Sequence, residues 1–150
     1  MTSTTQWIPI AGLVATIAAA GYAVVQLHGQ AQGLTADFTN AATAQVRDAQ
    51  GQIVLQGQFM PPIEEDGGLE RRATLVSTGV DADASGEAEV EFAKTGATPQ
   101  EVEFAVENLE PRTSVTFVID GTDVATATTD QRGSAEVELD VNRPGAAASR

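Results

Sequence analysis

The sequence contains no cysteine and very few of the other residues on which side-chain chemistry usually depends. Without cysteine there is no disulfide, no thiolate zinc site and no cysteine nucleophile. The only histidine, His28, precedes the acidic part of the chain, which therefore lacks a Ser-His-Asp arrangement. That part also lacks the Trp and Tyr platforms that usually accompany sugar-cleaving carboxylate pairs. We expect a protein that is not an enzyme and has no cofactor or small-molecule substrate.

Positive charge is scarce as well, with 8 Lys and Arg against 21 Asp and Glu and a net charge of −13. Binding to a phosphate backbone needs clustered Lys or Arg, so we expect no nucleic-acid partner. No charged residue occurs before Asp37. The sequence thus divides into a neutral leader and one small acidic domain.

The leader contains one long apolar run, residues 8–25, which carries no charge. As a helix this run is about 27 Å long, close to the thickness of a bilayer core. Trp7 and Tyr22 have the positions of interfacial aromatic residues. The pattern predicts a transmembrane anchor over residues 1–26, with the membrane as a partner.

The alternative for the leader is a secretory signal peptide, cleaved at the small-x-small site Gly29-Gln30-Ala31. A signal peptide normally begins with a basic region and has a shorter apolar run, so we favour a retained anchor. No Lys or Arg flanks the run closely, so the positive-inside rule gives little information about its orientation in the membrane. We expect the domain on the outer, periplasmic side of a bacterial cell membrane.

Small residues recur along one side of the predicted helix: Ala11, Gly12, Ala15, Ala18 and Ala19. Such spacing lets transmembrane helices approach one another closely. The competing interpretation is that Ala and Gly are simply common in weakly hydrophobic spans. We favour packing against other membrane subunits.

Beyond the leader we expect a polar linker over residues 27–42, a β-domain over 43–141 and a flexible tail over 142–150. The domain shows apolar residues with a period of two, which indicates strands with one buried face. We predict strands near residues 43–47, 52–59, 69–78, 87–95, 100–108, 114–119, 123–129 and 134–141.

Turn signals separate these strands. The pattern Asp-x-x-Gly occurs at Asp48, Asp83 and Asp130, and Asp120-Gly121 is a two-residue hairpin signal. About eight short strands at this spacing predict an immunoglobulin-like, two-sheet antiparallel β-sandwich, with a barrel as the lesser option. The likeness to immunoglobulin-like modules is architectural and rests on no family motif.

Glutamates alternate with apolar residues in three of the predicted strands, in the tetrads that begin at Glu89, Glu101 and Glu136. The residues 86–92 and 133–139 also match each other. Because Glu is usually exposed, we expect these glutamates to form a solvated acidic face.

One stretch resembles the start of a calcium loop, with oxygens at Asp81, Asp83 and Ser85 before Gly86. The twelfth position is Phe92 instead of the usual Glu, which favours a plain turn. Calcium is therefore the lesser of the two interpretations.

A second acidic stretch, Glu64, Glu65 and Asp66, lies between two prolines and two glycines and predicts a surface loop that contacts a partner. Arg71 and Arg72 follow and are expected to pair with it. Together these features predict an anchored accessory subunit of a larger membrane complex, such as a photosynthetic, respiratory or secretion complex. The alternatives are a secreted envelope binding or adhesion module and a calcium-binding β-sandwich.

Overall fold

The structure is a computed structural model that describes residues 24–26, 34–95 and 99–143. Within these residues the chain is all-β, with ten strands and no helix. The strands are β1 (Val24–Gln26), β2 (Thr43–Arg47), β3 (Ile53–Gln58), β4 (Ile63–Glu65), β5 (Gly68–Ser77), β6 (Ser85–Ala93), β7 (Gln100–Glu107), β8 (Ser114–Ile119), β9 (Thr122–Thr128) and β10 (Ala135–Val141).

The strands form one nearly closed sheet in the order β1-β10-β7-β6-β5-β3-β2-β8-β9, with β4 paired to β5 beside this path. The pairs are antiparallel except for β1 with β10. Strand β9, at one end of the path, also contacts β10 near the other end. The all-β prediction is confirmed, but hydrogen bonding links the strands into a single sheet instead of two. Register shifts at Val46/Arg47 and Phe117/Val118 increase the local twist that lets the sheet curl.

All eight predicted strands are present within about two residues of their predicted ends. The sequence did not predict β4, which forms a tight hairpin with β5. Asp66 and Gly67 both have positive φ there, at 43° and 87°, as a two-residue hairpin turn requires. The sequence also did not predict β1. Val24 and Val25 are extended there, at the end of the run expected to be helical.

The apolar residues of alternate positions meet in one core inside the curled sheet. Phe104 on β7 and Phe117 on β8 are fully buried, and their ring centroids lie 4.9 Å apart at an interplanar angle of 42°. Because β7 and β8 are not neighbours in the sheet, this contact joins opposite walls across the core. Aromatic pairs of this kind add about 0.5–1.5 kcal/mol beyond the area that they bury.

Two of the three Asp-x-x-Gly turns form as predicted. The Gly51 and Gly133 amides donate to the carbonyls of Asp48 and Asp130, and both glycines have positive φ. The third prediction is wrong: the turn starts earlier, where the Ala84 amide donates to the Asp81 carbonyl. Gly86 instead lies in β6, where a Cβ would stand 2.6 Å from the carbonyl oxygen of Ala105 on β7.

Residues 34–42, expected to belong to a polar linker, pack against the domain. Phe38 and Ala41 are buried in its core. The buried Gln100 side chain fixes this segment: its Oε1 accepts from the Phe38 amide at 2.7 Å and its Nε2 donates to the Ala36 carbonyl at 2.9 Å. The linker residues 27–33 and most of the predicted anchor and tail lie outside the described residues. In the described part of the chain, no helix has the length and apolar character needed to cross a membrane.

Candidate functional site: a face of carboxylates

The three glutamate tetrads lie side by side in the sheet, because β6 and β10 pair with β7 on its two sides. The matching stretches 86–92 and 133–139 are therefore the two neighbours of one strand. Together with β5 they place nine acids and one arginine on the side of the sheet opposite the core. We call this set the carboxylate face: Glu70, Arg72, Glu87, Glu89, Glu91, Glu101, Glu103, Glu136, Glu138 and Asp140.

The strand register arranges these side chains in rows that run across the strands. One row contains Glu70, Glu91, Glu101 and Asp140. The next contains Arg72, Glu89, Glu103 and Glu138. Directly opposed residues have Cβ atoms about 4.5–5.5 Å apart, and like charges so placed destabilise a sheet. Arg72 is the only cation in these two rows, so their charge is mostly unbalanced.

The centre of this face is not solvated, which contradicts the expectation from sequence. Glu70 is 1% exposed, Glu89 4%, Glu103 6% and Glu136 4%, whereas Glu87 and Asp140 at the margins are exposed. Strand periodicity correctly identified the side of the sheet on which the glutamates stand. It does not report how much solvent reaches that side, and the rows themselves reduce access because side chains on adjacent strands stand close together.

Arg72 neutralises one corner of the face. Its Nε forms ion pairs with Oε1 of Glu70 and, at 3.0 Å, with Oε1 of Glu89. A terminal nitrogen of the same guanidinium lies 3.8 Å from Oε2 of Glu65. One positive charge therefore serves three carboxylates. Arg72 was expected from the sequence to pair with the acidic loop, but Glu70 was not singled out, although its spacing from Arg72 puts both on the outward phase of the strand predicted at 69–78.

Burial raises the pKa of the central carboxyls, and their mutual repulsion adds to the rise. The pKa of Glu103 is raised to about 8, first by burial and then by Glu89 and Glu136. The pKa values of Glu89 and Glu101 are raised to about 7, again mainly by burial. The pKa values of Glu70, Glu91 and Glu136 are also raised, with burial as the largest cause. The face thus holds protons near neutral pH that ordinary carboxylates have already lost.

One group on this face has the geometry of a metal site. Glu70, Glu89 and Glu91 each offer a carboxylate oxygen, and these three oxygens lie within 4.8 Å of one another. The sequence-based calcium residues lie elsewhere. Asp81 and Asp83 belong to the connection before β6, and the Ser85 hydroxyl donates to Oε1 of Glu107 at 3.0 Å.

The predicted partner loop at Glu64, Glu65 and Asp66 is the β4–β5 hairpin. Its expected pairing is confirmed for Arg72, whereas Arg71 donates to the carbonyls of Thr39 and Met60. Lys94 also pairs with Glu64 at 2.6 Å. Beside the acids, Met60 is 64% exposed and Ile63 is 51% exposed, with two exposed prolines between them.

The residues predicted for the anchor lie outside the described residues: Trp7, Ala11, Gly12, Ala15, Ala18, Ala19 and Tyr22. His28 lies outside them as well. Comparison of the chain with protein-family models, curated proteins and solved structures finds no match.

Proposed function

We propose that the protein is a non-catalytic accessory subunit, anchored in a membrane by its N-terminal segment and presenting its acidic β-domain to a larger membrane protein complex. The observation that carries this proposal is the pairing of β1 with β10, in which Val24, Val25 and Gln26 oppose Glu136, Val137 and Glu138. Strand β1 begins in the last two residues of the apolar run 8–25 and precedes the Gly29-Gln30-Ala31 site. Cleavage at that site would remove a strand from the sheet, so the pairing supports a retained leader.

The same pairing supports a short connection between anchor and domain. Val24 is opposite Glu136, at the start of β10. An anchor that ends before Val24 enters the edge of the sheet without a spacer, and the domain stays close to the bilayer. The long connection, residues 27–42, follows this strand, and its last residues are packed on the domain. A tightly held domain suits a subunit with a fixed place in an assembly.

The β4–β5 hairpin supplies the surface that we assign to the partner. Exposed Met60 and Ile63 flank two prolines and adjoin the acidic tip at Glu64 and Asp66. Exposed apolar side chains next to charged ones are typical of interface cores with polar rims. An outer, periplasmic location and an immunoglobulin-like packing of the strands in two layers remain parts of the proposal.

The test is purification of the full chain in mild detergent from its native membrane, followed by mass spectrometry of the chain and its companions. We expect a mature chain that begins before Val24 and that elutes with other membrane subunits. A mature start near Gln32 would instead favour the secreted binding module. A chain that elutes alone would contradict the subunit assignment.

A variant pair tests the hairpin. We expect Met60→Ser combined with Ile63→Ser to weaken co-purification, because the change removes the exposed apolar surface assigned to the partner. Both side chains are exposed in the fold, so their loss leaves the core unchanged. Val80→Ser is the matched control, since Val80 is 52% exposed at the connection between β5 and β6. Equal effects of the two changes would refute the assignment of the hairpin.

A further inference from the structure

The acids at one corner of the carboxylate face are too close to remain charged without a further cation. Glu70 and Glu91 are directly opposed on β5 and β6, and Glu89 precedes Glu91 by two residues on the same side of β6. Their nearest oxygens fall within 4.8 Å. At such distances the repulsion of carboxylates is large unless a proton or a cation lies between them.

Two buried side chains in this region have oxygens without hydrogen-bond donors among the described residues. Glu70 is 1% exposed; its Oε1 has the ion pair with Arg72, its Oε2 has no donor, and its carboxyl also lies against that of Glu65, a further acid. Glu103, which opposes Glu89 on β7, is 6% exposed and its Oε1 has no donor either. A buried carboxylate oxygen without a partner loses its solvation without compensation. Glu70 belongs to the three-acid cluster, and Glu103 adjoins it.

The protein's own cations do not balance this corner. Arg72 engages Oε1 of Glu70 and Oε1 of Glu89, and so leaves the second oxygen of each for another ligand. Lys94 is bound to Glu64 at the hairpin. Among the described residues, these are the cations that form ion pairs with acids of β4, β5 and β6.

We propose that Glu70, Glu89 and Glu91 bind a divalent cation of the calcium type, with Arg72 as the positioning residue that orients two of the three carboxylates. Two oxygens bound to one Ca²⁺ at 2.3–2.6 Å lie at most about 5 Å apart, which the observed spacing satisfies. With one oxygen of Glu70 and one of Glu89 paired to Arg72, the three carboxylates leave up to four hard oxygen ligands, and no nitrogen or sulfur ligand is present in the cluster. Mg²⁺ binds oxygens at about 2.1 Å in strict octahedral geometry, so this wider set favours Ca²⁺.

Protons compete with the cation for this site. The three carboxylates crowd one another and face the further acids Glu65 on β4 and Glu101 and Glu103 on β7, with Arg72 as the facing cation. Carboxylates must lose their protons to bind a metal, so binding releases protons and tightens as the pH rises. This site is independent of the anchor: it lies wholly within β5 and β6, and its failure would leave the proposed function intact.

The test is a calcium titration of the full chain in mild non-ionic detergent, after chelation and at constant ionic strength. At pH 8 we expect a saturable rise in melting temperature and one binding event by calorimetry, with a weaker effect of Mg²⁺. At pH 6 the affinity falls by about tenfold or more, because protons hold the carboxylates. No saturable rise at pH 8 would overturn the proposal.

Matched variants separate this site from general acidity. Glu91→Gln removes one ligand, and we expect it to weaken calcium binding by at least about tenfold. Glu87→Gln is the control, because Glu87 is exposed on the same side of β6 and does not belong to the cluster. In chelator, Glu91→Gln melts no lower than the wild type, since it removes repulsion, so a lost response does not reflect unfolding. Equal calcium responses in the two variants would overturn the proposal.

Discussion

Glu103 on β7 and Glu89 on β6 stand directly opposite each other, and both side chains are almost completely buried. A sheet usually opposes unlike charges or apolar groups at such positions, because like charges destabilise the pair. Here the neighbouring row repeats the same conflict, and Arg72 relieves it at Glu89 and Glu70 but not at Glu103. The conflict makes this face the part of the domain whose free energy depends most on protons and on cations.

The first prediction concerns the pH dependence of stability in chelator. Unfolded glutamates titrate near pH 4.3, whereas the folded pKa is about 7 for Glu89 and Glu101 and about 8 for Glu103. Between the unfolded and the folded pKa values, the folded state therefore binds more protons than the unfolded state. The stabilisation from these groups is complete below the unfolded pKa and is lost as the pH rises through 7 to 8.

Urea unfolding from pH 5 to pH 9 measures this effect. Each proton of difference gives a slope of about 1.4 kcal/mol per pH unit. The pKa of Asp37 is lowered by hydrogen bonds from Thr39, so its contribution has the opposite sign and is lost in acid. We expect the greatest stability near pH 5. A free energy of unfolding that stays constant between pH 5 and 8 would contradict burial of the carboxylate face.

The second prediction is that Glu103→Gln stabilises the protein above pH 8 and has little effect at pH 4. At high pH it removes a charge that burial and its neighbours disfavour, whereas at pH 4 the carboxyl is mostly neutral in both the folded and the unfolded state. We expect the variant to raise the free energy of unfolding by about 1–2 kcal/mol at pH 9. This gain is smaller than the full pKa change implies, because solvent partly screens the charge. Glu87→Gln, at an exposed position, serves as the control, and thermal melting at both pH values is the measurement.

The strands could be predicted from the sequence, whereas the cluster of acids on the carboxylate face could not. Alternation in residues such as Glu101–Val106 specifies a strand and which side meets the core, because a strand has period two. It does not specify which strands become neighbours. The cluster depends on β5 lying beside β6, so that Glu70 meets Glu91. No local pattern encodes that neighbour. Glu70 was therefore missed, and Asp81 and Asp83 were considered for calcium instead.

Local sequence patterns also failed to predict that the segment before β2, residues 34–42, packs on the domain. The polar, glycine-containing composition of residues 27–42 predicted a linker, yet Phe38 is buried and its amide is held by Gln100 across 62 residues of sequence. A single buried amide side chain, placed by the fold of β7, gives this stretch its partner. Composition describes what a segment prefers in isolation and cannot report such a distant bond.

The third prediction is that Gln100→Leu destabilises the domain by about 2–4 kcal/mol. The change is close in size but leaves the Phe38 amide and the Ala36 carbonyl without partners in a buried site, at a cost of about 1–3 kcal/mol for each group. We expect residues 34–42 to exchange their amide protons faster than the rest of the sheet. Gln56→Leu is the control, because Gln56 is exposed on β3. If hydrogen exchange in this segment stayed unchanged, the fixing role of Gln100 would be wrong.

The fourth prediction compares two glycines at equivalent turns. Gly51 and Gly133 have φ values of 81° and 79°, so alanine at either position carries the same backbone strain, about 1 kcal/mol. A Cβ on Gly51 meets nothing within 4 Å, whereas a Cβ on Gly133 collides with the carbonyl oxygen of Leu109. That carbonyl cannot move freely, because the Leu109 amide donates to the Gly133 carbonyl at 3.0 Å.

We therefore expect Gly133→Ala to lower the free energy of unfolding by at least about 2 kcal/mol more than Gly51→Ala, since a backbone clash adds to the shared strain. Urea unfolding at pH 6 makes the comparison away from the titration of Glu103. The difference depends on the connection between β7 and β8 lying against the turn before β10, which places the matching stretches 86–92 and 133–139 on the two sides of β7. Equal losses in the two variants would mean that this contact, and with it the register of β10 beside Glu103, is wrong.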